Sequence, residues 1–147
     1  MPTPLEVARR LLSLARVQRG DTVVDLGCGD GRLLNLAVHE FGAARAIGYE
    51  LDDELVSEAR AKASGCDRIE VRNDDVANAE AALADADVVT LYLSNTGNAQ
   101  LHPLLARTLR PTARVVSYVW EMPVAASRTV LMPGSGAPLH LFERADL

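Results

Sequence analysis

The sequence has fewer basic than acidic residues, only two cysteines and no long apolar run, and each shortage narrows the choice of function. Lys62 is the only lysine, and 20 acidic against 15 basic residues give a net charge of −5, which disfavours a broad nucleic-acid-binding face. Cys28 and Cys66 follow no Cys-x-x-Cys or Cys/His pattern, so we expect neither a disulfide framework nor a metal site. No apolar run suits a membrane span or a signal peptide, and we therefore expect a cytoplasmic protein.

What is present is an ordinary globular composition. Of the 147 residues, 48% are hydrophobic and 24% are charged, which is enough for one core without crosslinks. We therefore expect a single domain over residues 1–147 with one functional site.

Hydrophobic periodicity predicts strands that alternate with helices. A first helix over residues 4–17 is predicted, with Thr3 as its cap and Glu6 closing a capping box. The predicted strands are 22–26, 45–51, 68–72, 87–93 and 114–120. A helix is predicted after each of the first four strands. The helix after the second strand is capped by Asp52, and the helix after the fourth strand covers residues 99–110. Such alternation predicts a doubly wound parallel sheet covered on both faces. Two final apolar runs, 127–131 and 138–144, should pair antiparallel.

One turn carries most of the functional information. Residues 24–32 read Val-Asp-Leu-Gly-Cys-Gly-Asp-Gly-Arg and lead from a buried strand into a helix. Ligands of doubly wound sheets lie beyond the carboxyl ends of strands, where Gly27, Gly29 and Gly31 would let the backbone approach a ligand closely. Arg32 stands where the dinucleotide fingerprint has its third small residue, and a side chain there would crowd a pyrophosphate.

Acidic residues at three strand ends suggest a cationic nucleoside as the ligand. Asp25 and Asp30 flank the turn, where they would attract an ammonium or sulfonium group and repel a diphosphate. Glu50, at the end of the second strand, is placed to accept hydrogen bonds from ribose hydroxyls. Asp75, which we place at the end of the third strand, would accept from an adenine amino group or cap the next helix, and Val76 offers a backbone amide.

These residues resemble the class I S-adenosylmethionine-dependent methyltransferases. The resemblance rests on Asp-Leu-Gly-Cys-Gly-Asp-Gly-Arg at 25–32, the acid of the second strand and the aspartate of the third, and it spans nearly the whole chain. It implies a Rossmann-like, three-layer αβα fold with a mostly parallel seven-stranded sheet of order 3-2-1-4-5-7-6 and an antiparallel last strand. It also implies S-adenosylmethionine as the cofactor, S-adenosylhomocysteine as the product and no metal. The implied cofactor-binding residues are Asp25, Gly27, Cys28, Gly29, Asp30, Gly31, Glu50, Leu51, Asp75, Val76 and Tyr92.

A narrower likeness is to the small protein-lysine methyltransferases of archaeal and mitochondrial type. It rests on Gly-Asp-Gly-Arg at 29–32, Gly-Tyr-Glu at 48–50, Leu-Val at 55–56 and Val-Val-Ser at 115–117. Such enzymes tend to carry a proline-containing loop after the fourth strand, where this chain reads Tyr-Leu-Ser-Asn-Thr-Gly-Asn at 92–98. That loop would face the methyl group.

Methyl transfer from a sulfonium depends mainly on alignment, so few catalytic side chains are obligatory. For an amine acceptor, the aromatic faces of Tyr92 and Trp120 would stabilise the positive charge of the amine, and the carboxylate of Glu121 would accept its proton. Tyr92 and Glu121 are therefore the catalytic candidates. Cys28 is interpreted as a small turn residue, although the helix N-terminus beside it would lower its pKa.

The acceptor site should be shallow and open, because no insertion between strands is long enough to form a lid. A protein side chain or a small molecule would fit, and the first helix or the partner subunit of a homodimer would cover the pocket. Two alternatives stay open. The first is a nicotinamide-dependent dehydrogenase, in which Glu50 would bind the ribose of the cofactor, although Arg32 and the final hairpin disfavour this class. The second is a non-catalytic cofactor-binding module, which would explain the unusual residues 94–98.

Overall fold

Seven strands form one sheet flanked by five α-helices in the computed structural model, which describes residues 3–93 and 95–147. In chain order the elements are α1 (Leu5–Leu14), β1 (Thr22–Leu26), α2 (Arg32–His39), β2 (Arg45–Tyr49), α3 (Asp53–Lys62), β3 (Ile69–Arg72), a 3-10 turn (Val76–Asn78), α4 (Glu80–Ala84), β4 (Val88–Leu91), α5 (Asn95–Thr108), β5 (Arg114–Tyr118), β6 (Arg128–Leu131), β7 (Pro138–Glu143) and a closing 3-10 turn (Arg144–Asp146). The predicted alternation of strands and helices is confirmed.

The strand order is β3-β2-β1-β4-β5-β7-β6, as the sequence analysis predicted. Strands β1 to β5 pair in parallel, whereas β7 runs antiparallel to both of its neighbours, β5 and β6. The order reverses between β1 and β4, so a crevice opens beyond the carboxyl ends of these two strands. The glycine-rich turn lies at this point because it directly follows β1.

Helices cover the sheet on both faces, which produces the predicted three layers. Helices α1, α2 and α3 pack on one face through residues such as Leu11 and Leu34, and α4 and α5 pack on the other through residues such as Leu83 and Leu105. Because β1 is covered on both faces, Val23 to Leu26 are all buried and the strand shows no polar alternation. The one carboxylate in this run, Asp25, is therefore conspicuous.

The two helix caps predicted from the sequence have different outcomes. Helix α1 begins without any side-chain cap, so the predicted capping box of Thr3 and Glu6 is wrong. Asp52 caps α3 as predicted, because its carboxylate accepts from Glu54 N at 2.9 Å and from Leu55 N at 3.1 Å.

Helix α1 also ends three residues before the predicted boundary at residue 17. Arg16 N donates to Ser13 O at 3.0 Å, and Val17 N donates to Leu12 O at 3.1 Å. These are the two hydrogen bonds of a Schellman motif, and Arg16 adopts the left-handed φ of 57° that the motif requires. An arginine in this position gives no sequence signal, since glycine usually occupies it.

Helix α5 begins four residues earlier than predicted. Residues 95–98, predicted to lie in a loop, form its first turn, and the helix ends at Thr108 instead of residue 110. Ser94, the first residue of that predicted loop, lies outside the described residues. Thr, Gly and Asn at 96–98 are weak helix formers, so their helical state depends on tertiary contacts. Within the described chain, no helix has the length and apolar character to cross a membrane.

Candidate active site

The glycine-rich turn is fastened to the neighbouring strand β2. Gly27 N and Cys28 N both donate to Tyr49 O at 2.9 Å, and Gly29 N donates to Glu50 Oε1 at 2.9 Å. Gly27, Gly29 and Gly31 all have φ between +56° and +83°, a conformation that side chains strongly disfavour. The turn therefore needs its glycines for backbone conformation as well as for access.

Gly31 serves helix packing and does not line the cleft described below. A Cβ at Gly31 would lie 3.0 Å from Ala59 Cβ, so α3 packs directly against the start of α2 at this residue. The absence of a side chain at Gly31 therefore permits the close approach of the two helices.

Gly48 supports the glycine-rich turn from strand β2. The sequence pointed to it only as part of the family likeness and not to this role. A Cβ at Gly48 would lie 2.6 Å from Cys28 Sγ and 2.7 Å from Leu34 Cδ1. Strand β2 therefore passes beneath the turn at a distance that only glycine permits. Its signal was a glycine within an otherwise apolar strand, which marks close approach of another backbone.

A cleft of about 390 Å³ opens at the turn. It is lined by Thr3, Asp25, Gly27, Cys28, Gly29, Asp30, Arg32, Glu50, Leu55, Tyr92 and Leu93. A second cleft of about 370 Å³ shares Leu93 with the first and includes the predicted residues Asp75 and Val76. Most of the predicted cofactor residues thus surround two adjoining clefts.

Besides Gly31, two predicted residues lie apart from both clefts. Leu51 follows Glu50 with 64% of its surface exposed, and Glu121 is exposed beyond the end of β5.

Asp25 is a buried carboxylate at the floor of the first cleft. Only 6% of its surface is exposed, and Thr90 Oγ1 donates to Asp25 Oδ1 at 2.7 Å. Burial, with a smaller contribution from the nearby charge of Glu50, raises the pKa of Asp25 to about 7, although the hydrogen bond from Thr90 opposes the shift. In the described residues no arginine, lysine or histidine forms an ion pair with Asp25. The site is therefore poised to accept a ligand cation.

Asp30 has a different environment from Asp25, although the sequence analysis treated them as a pair. Arg32 Nη2 and Lys62 Nζ each lie 2.7 Å from Asp30 Oδ2, and these hydrogen bonds hold the pKa of Asp30 well below its usual range. Arg32 also reaches Thr3 O at 3.4 Å, which ties the N-terminal segment to the rim of the cleft. Because its charge is already matched, Asp30 braces the turn, and Asp25 is the carboxylate left to attract a cation.

Glu50 is held by backbone amides on both carboxylate oxygens. Gly29 N donates to Oε1, while Leu51 N and Asp52 N each donate to Oε2 at 3.0 Å. A carboxylate offers about four acceptor positions, so the three amides fix its orientation and still leave capacity for a ligand hydroxyl. This arrangement is compatible with the predicted contact to a ribose.

Asp75 lies three residues beyond β3, which ends at Arg72, so its predicted position at the strand end is wrong. Its carboxylate accepts from Ala77 N at 2.9 Å and caps the 3-10 turn, which confirms the capping role that the sequence analysis left open. Because Asp75 and Val76 also line the second cleft, the cap and a ligand contact can coexist.

Cys28 is buried, and its thiol stays neutral. Burial raises the pKa of this thiol well above its usual range, and the charges of Asp25 and Glu50 add to the effect. The net shift is therefore upward, opposite to the lowering expected from the helix N-terminus, and this agrees with the interpretation of Cys28 as a small turn residue.

An aromatic wall, which we define as Tyr92, Tyr118 and Trp120, lies beyond β4 and β5. The ring centroids of Tyr92 and Tyr118 are 5.1 Å apart with an interplanar angle of 38°, and Tyr92 also lines the first cleft. Trp120 is 37% exposed. Tyr92, with the Tyr118 ring packed on it, therefore places aromatic surface beside the cleft that holds Asp25, and Trp120 lies two residues after Tyr118 in the chain.

The strand order and the glycine turn with flanking acids define the class I methyltransferase architecture. Comparison with known proteins agrees: the profile of the ANTKMT methyltransferase domain matches residues 25–129. The chain is 38% identical over 125 residues to a protein-lysine N-methyltransferase from Saccharolobus islandicus, covering 83% of this chain and 76% of that protein. It is 37% identical to the adenine nucleotide translocase lysine N-methyltransferase of Mus musculus, covering 77% of this chain but 49% of the mouse protein.

A solved structure is equally similar. An RNA methyltransferase from Salinibacter ruber, crystallised with S-adenosyl-L-homocysteine, superposes with a TM-score of 0.89 at 38% identity, covering 97% of this chain and 93% of that one. The chain belongs to the ANTKMT methyltransferase domain family and is an S-adenosylmethionine-dependent methyltransferase.

Proposed function

We propose that the protein methylates an amine on a protein acceptor, foremost the side chain of lysine. The observation that carries this proposal is the aromatic wall beside the first cleft, because aromatic faces stabilise cationic amines. The Saccharolobus and mouse relatives, both protein-lysine methyltransferases by name, support it.

The residues of the two clefts suit the cofactor. Asp25 offers an unpaired carboxylate to a cation, Glu50 retains acceptor capacity for ribose hydroxyls, and the glycines leave the turn without obstructing side chains. When bound, S-adenosylmethionine supplies an electrophilic methyl group on a sulfonium sulfur. We assign the adenine to the second cleft, which Asp75 and Val76 line. The charges of Asp25 and Glu50 disfavour a diphosphate in the same position.

The chain's own contribution to the reaction is alignment, which supplies most of the rate in such displacements. Tyr92 contacts both the cleft and Tyr118, so it is placed to orient an amine toward the cofactor and to stabilise the methylated cation. Glu121 lies outside both clefts and is exposed, and we propose that it meets the acceptor at the rim and receives its proton.

An RNA acceptor is the second candidate, since the Salinibacter relative is named an RNA methyltransferase. RNA binding needs cations that neutralise phosphates. Within the part of the chain that the structure describes, the cations lining the two clefts are Arg32, which is paired with Asp30, and Arg107 in the second cleft. These few cations disfavour an RNA acceptor. The net charge of −5 also disfavours RNA and favours a basic protein acceptor.

The test is transfer of a labelled methyl group from S-adenosylmethionine to poly-L-lysine, to lysate protein and to lysate RNA, with protease and ribonuclease treatments as controls. We expect protease-sensitive label that amino-acid analysis identifies as methyllysine. Ribonuclease-sensitive label would replace this proposal with RNA methylation, and tight cofactor binding without label in any fraction would indicate a non-catalytic module.

The catalytic roles have their own variants. Tyr92→Ala and Glu121→Gln should both lower turnover on poly-L-lysine. For Glu121→Gln, the affinity for S-adenosylmethionine, measured by calorimetry, should stay unchanged. If both variants turn over normally, the assigned roles are wrong. Titration with NAD in place of S-adenosylmethionine tests the dehydrogenase alternative, for which only NAD should bind.

We also propose that the chain is a single domain, that it is cytoplasmic and that a homodimer covers the open pocket. One cooperative urea transition is expected of a single domain. Sedimentation equilibrium of the purified protein tests the homodimer, and cell fractionation tests the location.

A further inference from the structure

Asn98 is buried in the first turn of α5 and contacts the chain just after β5. None of its surface is exposed, and its Nδ2 donates to Ser117 Oγ at 3.3 Å, to Trp120 O at 3.3 Å and to Glu121 O at 3.2 Å. An amide NH₂ has two hydrogens, so the three acceptors share them. One buried side chain thus joins the start of α5 to the backbone that carries Trp120.

The backbone held by Asn98 has an unfavourable conformation. Val119 has a φ of 69°, which is a genuine outlier for a β-branched residue. Trp120 N donates to Tyr118 O, only two residues back, at 2.8 Å, which is the hydrogen bond of a tight γ-turn. Ser117 Oγ adds a second bond to Trp120 O at 2.5 Å. Such a turn persists only where surrounding contacts enforce it, and strained turns cluster at functional sites.

The polar pocket around Asn98 is incompletely satisfied. Among the described residues no donor reaches Asn98 Oδ1, and none pairs with Nε2 of His140, the residue opposite Ser117 across β5 and β7. Leaving buried polar atoms unpaired is costly, so a core selected for stability alone would favour apolar side chains here. The amide is retained at a cost, which suggests that it has a task at the site.

The role of Asn98 follows from the aromatic residues on either side of the strained turn. The turn joins Tyr118 and Trp120, two members of the aromatic wall, and the Tyr118 ring contacts the third, Tyr92. Asn98 lies on the helix that follows Tyr92 in the chain, so its hydrogen bonds join the segment after β4 to the segment after β5.

We propose that Asn98 is a positioning residue that sets the aromatic wall at the distance from the cofactor cleft that an acceptor amine requires. The proposal rests on the proposed function, since it treats the wall as the acceptor site. Asn98 itself need not touch the acceptor or the cofactor.

The test uses Asn98→Asp, which keeps the size of the side chain but turns the donor into an acceptor facing three oxygens. The matched control is Thr108→Val, which removes the 2.6 Å hydrogen bond from Thr108 Oγ1 to Leu104 O at the other end of the same helix. Trp120 is the only tryptophan, so quenching of its fluorescence by acrylamide reports the wall independently of activity. Should Asn98→Asp fail to fold, Ser117→Ala removes the other side-chain bond to Trp120 O and is tested in the same way.

We expect Asn98→Asp to raise the quenching constant of Trp120 about twofold, and to lower kcat/KM for poly-L-lysine by roughly tenfold to a hundredfold, as small misplacements commonly do. The KM for S-adenosylmethionine should stay at the wild-type value, and Thr108→Val should match the wild type in all three measurements. Unchanged quenching in Asn98→Asp overturns the proposal, as does an equal loss in the Thr108→Val control or a rise in the KM for S-adenosylmethionine that accounts for the lost activity.

Failure of the proposed function gives a different result. If the wild type methylates RNA and not poly-L-lysine, the lysine assignment is wrong, but increased Trp120 quenching and reduced RNA methylation in Asn98→Asp would still support the positioning role.

Discussion

Replacing Asp25 with asparagine should make the protein more stable and a poorer binder of its cofactor. Burial raises the pKa of Asp25 from its ordinary value of 3.8 to about 7. Each pKa unit corresponds to 1.36 kcal/mol, so holding this carboxylate ionised in the ligand-free protein costs about 4 kcal/mol. An asparagine side chain would keep the shape and the acceptor for Thr90 Oγ1 without the charge.

The sign of the pH dependence follows from the raised pKa. Between pH 3.8 and about 7 the folded protein keeps a proton on Asp25 that the unfolded chain has lost, so this group's contribution to stability falls as the pH rises. The penalty is complete above pH 7 and absent below about pH 4. The Asp25→Asn variant should therefore match the wild type at pH 4 and exceed its free energy of unfolding by up to about 4 kcal/mol at pH 8.

Urea unfolding at pH 4, 6 and 8 measures this difference, and calorimetry at pH 8 should show S-adenosylmethionine binding at least roughly tenfold more weakly, since one charge-assisted contact is lost. The matched contrast is Asp21→Asn, which removes a carboxylate that pairs with Arg114 at 3.1 Å and should destabilise the protein. If Asp25→Asn is no more stable than the wild type at pH 8, or binds the cofactor as tightly, then Asp25 is not an ionised, cation-binding carboxylate in the folded protein.

Three further predictions follow from the same site. Wild-type affinity for S-adenosylmethionine should rise with pH up to and through about 7, because a cation favours ionised Asp25, and calorimetry across pH 5.5–8.5 should show a flat profile for Asp25→Asn. Gly48→Ala should cost about 1–3 kcal/mol of unfolding free energy and weaken cofactor binding, because its Cβ would lie 2.6 Å from Cys28 Sγ; unchanged urea midpoints would contradict this. Lys62→Gln should lower the free energy of unfolding by less than about 1 kcal/mol, because Lys62 is half-exposed and Arg32 still pairs with Asp30 in the variant. A larger loss would show that Arg32 alone does not balance the charge of Asp30.

Local signals predicted the parts of the fold that depend on local sequence. Strand β1 matches its predicted bounds to the residue, because the apolar run is closed by a glycine turn on one side and by Gly20 and Asp21 on the other. The sheet order came from the family likeness, and the final hairpin from its turn residues. The misplaced ends of α1 and α5 depend on a left-handed arginine at 16 and on the buried contacts of Asn98, which no periodicity encodes.

The site shows the same division. The turn glycines, Asp25, Glu50 and Tyr92 were predicted because each lies near or just beyond the carboxyl end of a strand. The match of Asp30 with Lys62 was missed because the two are 32 residues apart and meet only when α3 packs on the turn. Their pairing shows that acidity in a motif does not reveal which carboxylate remains unpaired.

A crystal structure of the protein grown with S-adenosylhomocysteine would show whether the turn after β1 binds the cofactor. We expect the nucleoside in the cleft after β1, with its amino-acid portion near Asp25, its ribose hydroxyls on Glu50 and its adenine toward Asp75 and Val76. A cleft left vacant at saturating nucleoside, or one that takes up the diphosphate of NAD in a parallel soak, would contradict it.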